Sequence, residues 1–208
     1  MTAIQALLAF SVAAALLTVT PGLDTALVLR TAAVEGPKRA ALAGLGIITG
    51  CLVWGAAVAL GLGVLLEAST LAFNVLKWAG AAYLVWLGLG LILKPRERFE
   101  LTAPAGPNGS DFAWMRRGFL TNLLNPKVGV FYISFLPQFL PAGAPAGPFI
   151  FLLAALHGFI TIFWFAALIA ATRPIAGALQ RAPVVRWLDR LTGGVFLAFG
   201  VRLALERR

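Results

Sequence analysis

The stretch 20-TPGLDTALVLR-30 interrupts the first apolar run of the chain. Apolar residues fill positions 3–19 almost without a break, and then Pro21 and Gly22 follow. Proline lacks a backbone N–H and clashes with the preceding helical turn, and glycine loosens what remains, so we expect a helix to break here. Asp24 comes next, while the sequence is still apolar. In a bilayer, broken backbone and a carboxylate are tolerated where protein or a water-filled cavity covers them. The stretch is therefore a candidate functional site.

The composition is that of a membrane protein. Of the 208 residues, 60% are hydrophobic and 12% are charged, whereas globular chains carry about 25% charged residues. The net charge of +9 does not favour nucleic acid as a partner, because cytoplasmic loops of membrane proteins collect Lys and Arg. The single cysteine, Cys51, excludes an internal disulfide and is interpreted as a small packing residue. The N-terminal apolar run exceeds that of a signal peptide, so we expect a retained first span.

Six apolar stretches are long enough to cross a bilayer, which takes about 20 residues. They cover residues 3–29, 41–66, 71–93, 118–140, 147–171 and 184–205. In the second, Gly46 and Gly50 are spaced for close helix packing. We expect one all-α membrane domain over 1–208, with a first repeat of about 1–93, a linker at 94–117 and a second repeat of about 118–208.

The two halves resemble each other. The fourth stretch opens with 118-GFLTNLLNPKVGVFYISFLPQF-139, where Pro126 lies 105 residues after Pro21. The third stretch, 77-KWAGAAYLVWLGL-89, resembles 190-RLTGGVFLAFGVR-202 in the sixth. Three spans per half is an odd number, so the second copy must be inverted. We predict six transmembrane helices as two inverted three-helix repeats, with spans 1 and 4 broken at Pro21 and Pro126. This arrangement is typical of secondary transporters with a binding site at the breaks.

The basic residues predict the orientation. Twelve lie in the loops between spans 1 and 2, 3 and 4, and 5 and 6: Arg30, Lys38, Arg39, Lys94, Arg96, Arg98, Arg116, Arg117, Arg173, Arg181, Arg186 and Arg190. The opposite face has four: Lys77, Arg202, Arg207 and Arg208. The positive-inside rule places the three loops in the cytoplasm and both termini outside, in a multi-pass protein of the cell (inner or plasma) membrane.

Asp24 is the only acidic residue that the sequence places well inside an apolar run. One interpretation is structural: the side chain caps free amides of a short helix after the break, at Thr25 and Ala26. The other is functional: the carboxylate faces a transport cavity and binds a substrate ammonium group or carries a proton.

Lys127 has two interpretations as well. It either reaches the cytoplasmic interface with its ammonium group, or binds a substrate carboxylate or Asp24. Asn122 and Asn125 lie three residues apart on one helical face and offer uncharged donors and acceptors. They suit an amino-acid backbone, or they satisfy the broken helix.

His157 is the lone histidine and lies in the fifth stretch, where a buried structural role and a proton-handling role are both open. Motifs for catalysis and nucleotide binding are missing: there is no HExxH, no GxSxG with a matching triad and no Walker A loop. We therefore expect a protein that is not an enzyme, needs no cofactor or resident metal, and draws on an ion gradient.

These motifs together resemble the LysE/RhtB family of amino-acid exporters. The resemblance rests on TPGLDTALVLRTA (20–32), AGAAYLVWLGL (79–89) and the stretch 118–139, and it covers nearly the whole chain. The family pattern reads PGP before Asp or Asn, and Leu23 stands here in place of the second proline.

The resemblance implies export of amino acids or close derivatives from the cytoplasm, coupled to protons. It makes these the site residues: Pro21, Gly22, Asp24, Asn122, Asn125, Pro126 and Lys127. One acid beside one base favours neutral substrates, such as homoserine, threonine or leucine, over lysine and arginine. The implied partners are the amino acid, the proton and the lipid bilayer, and a homodimer is the assembly to test. The alternatives are a metal or inorganic-ion exporter on a related scaffold and a non-transporting membrane subunit.

Overall fold

The computed structural model describes residues 1–20, 22–68, 70–97, 110–179 and 181–205. Within them the chain is helical and contains no strand. In chain order the helices are α1 Ala3–Val19, α2 Leu23–Val34, α3 Pro37–Ala68, α4 Thr70–Leu93, α5 Asp111–Leu123, α6 Pro126–Phe135, a 3₁₀ helix Leu136–Phe139, α7 Ala146–Ala170, α8 Thr172–Leu179 and α9 Ala182–Leu205. The prediction of an all-α protein is confirmed.

Local sequence explains where several helices begin and end. Thr2 and Gln5 form a capping box at the start of α1. Gly36 takes a positive φ of 93° after α2, a conformation that favours glycine. Pro37 then begins α3, where the missing N–H would have had no helical partner. Of the predicted central linker, 98–109 lie outside the described residues, and the basic stretch after α7 contains the short helix α8.

Glycines allow two helix pairs to approach closely. A Cβ on Gly46 of α3 would lie 1.9 Å from the Met115 carbonyl oxygen of α5, and one on Gly118 would lie 1.9 Å from that of Ala43. A Cβ on Gly88 of α4 would lie 2.7 Å from the carbonyl oxygen of Gly193 of α9. At these contacts α3 and α5 run parallel, and α4 and α9 run antiparallel. Gly46 and Gly50 of the second apolar stretch therefore serve packing, whereas a Cβ on Gly61 would meet no atom within 4 Å.

Two apolar clusters form the core. The first is built on aromatic side chains of α1, α6 and the 3₁₀ helix, including Phe10, Phe131 and Phe139. The second joins α2, α3 and α7 through residues such as Leu29 and Phe165. The last part of α1 packs in the first cluster through Leu17, and α2 packs in the second through Ala26 and Leu29.

Among the residues that the structure describes, fewer spans stand out than the six that were predicted. By length and apolar composition, Pro37–Gly61 and Ala146–Ala170 can each cross a bilayer, and α1 with α2 makes a third if the pair, bent by 54°, counts as one span. The apolar part of α4 that qualifies, Ala81–Leu93, is shorter than a span. The predicted fourth span is divided among α5, α6 and the 3₁₀ helix. The prediction is therefore confirmed for an apolar helical membrane protein and not for its six-span detail.

Candidate functional site

The first helix break leaves carbonyl groups without helical partners. α1 ends at Val19, and α2 begins at Leu23 after an extended Gly22 (φ −153°, ψ −169°). Pro21 lies outside the described residues, but a proline carries no N–H in any conformation. The Leu17 carbonyl, four residues earlier, therefore cannot receive the usual helical hydrogen bond. The backbone of Gly22 is one that any residue adopts, so its conformation does not require glycine.

The second break has its own cap. α5 ends at Leu123 and α6 begins at Pro126, the break position that the sequence predicted. The Asn125 side chain accepts a hydrogen bond from the backbone N–H of Lys127 (3.1 Å), which caps α6. The backbone N–H of Asn125 donates to the Asn122 carbonyl oxygen (3.0 Å). The asparagine thus partly satisfies the broken helix, as one interpretation of the sequence held.

The carboxylate of Asp24 is held by both asparagines of the other half. Asn122 Nδ2 donates to Oδ2 at 2.7 Å, and Asn125 Nδ2 donates to Oδ1 at 3.4 Å. Both asparagines are buried, with 0% and 5% of their surface exposed. The N-cap of α2 is Gly22, which has no side-chain hydrogen bond. The side chain of Asp24 accepts its hydrogen bonds from the two asparagines across the break.

The Lys127 side chain of the second half reaches the backbone of the first half. Its ammonium Nζ donates to the carbonyl oxygens of Leu17 (3.3 Å) and Thr20 (3.1 Å) at the end of α1. It does not form an ion pair with Asp24 within 4.0 Å. The ammonium group is therefore directed to the end of α1 at the first helix break.

The first break is thus satisfied by a side chain from the other half, and the second by its own Asn125. The carboxylate of Asp24 lies in the first turn of α2, where the helix dipole favours a negative charge. The ammonium group of Lys127 lies at the C-terminal end of α1, where the dipole favours a positive charge. The geometry places Asp24, Asn122, Asn125 and Lys127 around one cavity.

A small cavity opens on this cluster. Its volume is about 40 Å³, room for on the order of three water molecules. Its lining includes all four clustered side chains, together with Thr18, Thr20, Cys51, His157 and Thr161. The cavity is too small for an amino acid, so a larger ligand requires the breaks to move apart.

Several lining residues were not singled out from the sequence as site residues. Thr18 and Thr20 lie in the last turn before the break, and hydroxyl-bearing residues at that point of an apolar run were the available signal. Cys51, interpreted as a packing residue, is buried in the core but also accepts a hydrogen bond from Asn122 Nδ2 at 3.4 Å. Gly50 makes room for that asparagine, because a Cβ there would lie 2.6 Å from Asn122 Oδ1.

A second buried carboxylate was also missed. Asp189 of α9 is completely buried, and it accepts hydrogen bonds from Arg96 Nη2 (2.5 Å), Nε (3.0 Å) and backbone N (3.0 Å). Asp24 is therefore not the only acidic residue inside the protein. Among the described residues, no group of three or more His, Cys, Asp or Glu side chains is arranged to hold a metal ion.

These features define a class of protein: a helical membrane protein whose interrupted helices enclose a polar cluster. Residues 15–207 match the family model of the LysE type translocators. The chain belongs to this family, and the resemblance noted in its motifs is confirmed.

Curated relatives match over nearly the whole chain. An uncharacterised membrane protein of Bacillus subtilis is 27% identical, over 97% of this chain and 100% of its own. A leucine efflux protein of Klebsiella pneumoniae is 31% identical, over 95% of this chain and 93% of its own. A threonine efflux protein of Escherichia coli K12 is 30% identical, over 90% of this chain and 91% of its own. No solved structure gives a significant match.

Proposed function

We propose that this protein is a secondary active exporter of amino acids, coupled to protons, with its substrate site at the two helix breaks. The observation that carries the proposal is the part-buried contact of Asp24 with Asn122 and Asn125 across those breaks. A carboxylate inside a membrane protein is energetically costly, so its presence there indicates a function. Membership of the translocator family and the printed names of the leucine and threonine efflux relatives support the same activity.

The cluster has free capacity for both ends of a zwitterion. A carboxylate offers about four acceptor positions, and two amide donors reach Asp24. We assign the remaining positions to a substrate ammonium group or a proton. An ammonium group has three donors, and Lys127 gives two of them to carbonyls. The third, with the second N–H of the Asn125 amide, binds the substrate carboxylate. One acid and one base favour a substrate of no net charge, such as leucine, threonine or homoserine, over lysine and arginine.

We further propose that the six spans form two inverted repeats of one domain. Elements at equivalent positions of the two halves contact each other. α4 packs antiparallel on α9 at Gly88 and Gly193, and residues beside both helix breaks form one polar cluster. Substrate passage then requires the halves to move relative to each other, since the cavity of about 40 Å³ is too small for the substrate. This is the alternating-access scheme of inverted-repeat transporters.

Contacts among the basic loops support the predicted orientation. Lys38 at the start of α3 pairs with Asp111 at the start of α5 (2.5 Å), and Arg39 and Arg117 lie over the ring of Trp114. The loop between the first two spans and the linker between the halves therefore lie on one side. We place that side in the cytoplasm and the termini outside.

The test is efflux from proteoliposomes loaded with a mixed pool of labelled amino acids under a pH gradient. Wild type should release one or a few neutral amino acids, and Asp24→Asn should release them at least about tenfold more slowly, because one charge-assisted interaction is worth about 1.5–3 kcal/mol. Asp111→Asn is the matched control, since it removes an exposed carboxylate.

Each outcome decides a part of the proposal. Normal efflux by Asp24→Asn would overturn the site assignment. Release of lysine or arginine alone would overturn the neutral substrate class. If folded wild type releases no amino acid, the export proposal fails, and efflux of metal ions becomes the next measurement.

A further inference from the structure

His157 is held on both ring nitrogens by side chains of other helices. Nδ1 lies 2.9 Å from the Tyr132 hydroxyl of α6, and Nε2 lies 3.1 Å from Thr18 Oγ1 of α1. The ring is buried, with 4% of the residue exposed, and it lines the same cavity as Asp24. Packing alone does not require two polar partners from two helices that belong to different halves.

The hydroxyl partners determine which nitrogen carries the proton. Thr18 has one hydroxyl proton, and it donates this proton to the Ala14 carbonyl oxygen at 2.7 Å. Thr18 Oγ1 is therefore an acceptor towards the ring, so Nε2 carries the hydrogen. In the neutral ring Nδ1 is then an acceptor and receives the Tyr132 O–H. The free lone pair that an additional proton would use is that of Nδ1.

A chain of polar side chains joins this ring to Asp24. Tyr132 and Cys51 belong to the same buried cluster, Asn122 Nδ2 donates to Cys51 Sγ at 3.4 Å, and the same amide donates to Asp24 Oδ2 at 2.7 Å. When Nδ1 takes a proton, Tyr132 must accept from the ring instead of donating to it. Its own O–H then turns to another acceptor, and Cys51 Sγ is the neighbour in this chain. The change reaches Asn122, and through it the carboxylate.

We propose that His157 is a second proton-binding site of the transport cavity, coupled to Asp24 through Tyr132, Cys51 and Asn122. This inference rests on the proposed function and deepens it. During each transport cycle one proton binds to Nδ1 of His157 and is later released from it. No covalent bond of the substrate changes. The Asn122 amide does not carry the proton, because both of its hydrogens are donated; it transmits the reorientation of Tyr132.

Charged and titratable groups approach the ring from each helix around it. Tyr132 and Lys127 belong to α6, Cys51 to α3 and Asp24 to α2, and α1 contributes the uncharged Thr18. A charge on the ring repels the Lys127 ammonium, which holds the end of α1. Protonation of His157 therefore weakens the contact that keeps the first break closed, and this links proton binding to movement of the halves.

Transport assays separate this role from a structural one. His157→Gln keeps a side-chain amide donor but cannot titrate. We expect concentrative transport driven by a pH gradient to fall by a much larger factor than exchange of labelled for unlabelled substrate at equal pH. Tyr132→Phe should lower gradient-driven transport in the same way. Thr49→Ala, which removes an exposed hydroxyl of α3, should not. Gradient-driven transport by His157→Gln with the wild-type pH profile would overturn the proposal.

Nuclear magnetic resonance tests the site without any transport. The chain has one histidine, so protein labelled with ¹⁵N in the imidazole ring and purified with a histidine-free tag gives a single pair of ring signals. We expect the tautomer with hydrogen on Nε2, and ring signals that move in Asp24→Asn and Tyr132→Phe but not in Asp111→Asn. Hydrogen on Nδ1, or signals unmoved by Asp24→Asn, would refute the coupling. If wild type exports no amino acid while the signals behave as expected, the proposed function fails and the coupling of His157 to Asp24 stands.

Discussion

Lys127 lies where the first helix break has left two carbonyl groups without helical donors. Pro21 removes the N–H that would have bonded to Leu17, and the ammonium group from α6 takes its place. At the residue scale, the two halves of the chain contact each other in both directions at the site. Asp24 of the first half accepts a hydrogen bond from the Asn122 amide of the second half, and Lys127 of the second half donates to the backbone of the first.

Replacing Lys127 should therefore destabilise the fold as well as affect transport. Lys127→Met keeps the aliphatic chain but leaves the Leu17 and Thr20 carbonyls without a donor. A buried unsatisfied polar group costs about 1–3 kcal/mol, so we expect a clear fall in the midpoint of thermal unfolding in detergent. Lys38→Met, at a side chain that is 78% exposed, is the control. Equal midpoints for wild type and Lys127→Met would show that the lysine serves only the substrate.

The sequence predicted the members of the site better than their contacts. A charge or amide beside a proline break is visible in 20-TPGLDTALVLR-30 and in the stretch 118–139, so the four polar residues could be named. Which atoms they contact depends on the depth of each break and on how the halves dock, and neither is encoded locally. For that reason the sequence left open whether Asp24 caps its own helix, and the backbone contacts of Lys127 were not anticipated.

At the scale of elements, close approach of α3 and α5 positions Asn122. Gly118 lies against the backbone of Ala43, and Gly50 leaves space for the Asn122 side chain. The small-residue spacing of the second apolar stretch predicted close packing, but not that α5 is the partner, because spacing describes one face of one helix. The asparagine therefore depends on glycines of a helix more than 70 positions away in the chain.

A methyl group at Gly118 should separate these helices. Its Cβ would lie 1.9 Å from the Ala43 carbonyl oxygen. This oxygen belongs to the backbone, so it cannot rotate away as a side-chain atom could. Overpacking costs about 1–3 kcal/mol or more, so Gly118→Ala should lower thermal stability and slow transport by displacing Asn122. Gly90→Ala, where the added Cβ meets no atom within 4 Å, is the matched control. Similar stability of the two variants would contradict the close approach of α3 and α5.

For the whole molecule, the ion pair of Arg96 and Asp189 joins the end of α4 to α9. The carboxylate is fully buried, while 39% of the arginine side chain is exposed. Sequence could not reveal the pair, because its members lie 93 positions apart and Arg96 follows the last turn of α4. The pair secures the antiparallel contact of α4 and α9, which we propose to be the equivalent third spans of the two repeats.

Neutralising the buried carboxylate should cost more than neutralising an exposed one. Asp189→Asn removes the negative charge that pairs with the Arg96 guanidinium, and breaking a buried pair costs about 3–5 kcal/mol, less here because the arginine is partly solvated. Asp111→Asn removes the exposed partner of Lys38, which contributes about 0–1 kcal/mol. Thermal unfolding of both variants in the same detergent measures the difference. A smaller loss for Asp189→Asn than for Asp111→Asn would rule out the pair as a major contact between α4 and α9.

These contacts between the two halves at the helix breaks have a consequence for biosynthesis. When the ribosome has delivered only the first half, Asp24 and the Leu17 carbonyl are in the bilayer and the residues that satisfy them, 122–127, do not yet exist. We therefore expect the first half to remain incompletely folded, with water or lipid headgroups at the break, until α5 and α6 insert beside it. Halves produced as separate polypeptides should each be degraded when alone and rescue each other when made together in the same cell.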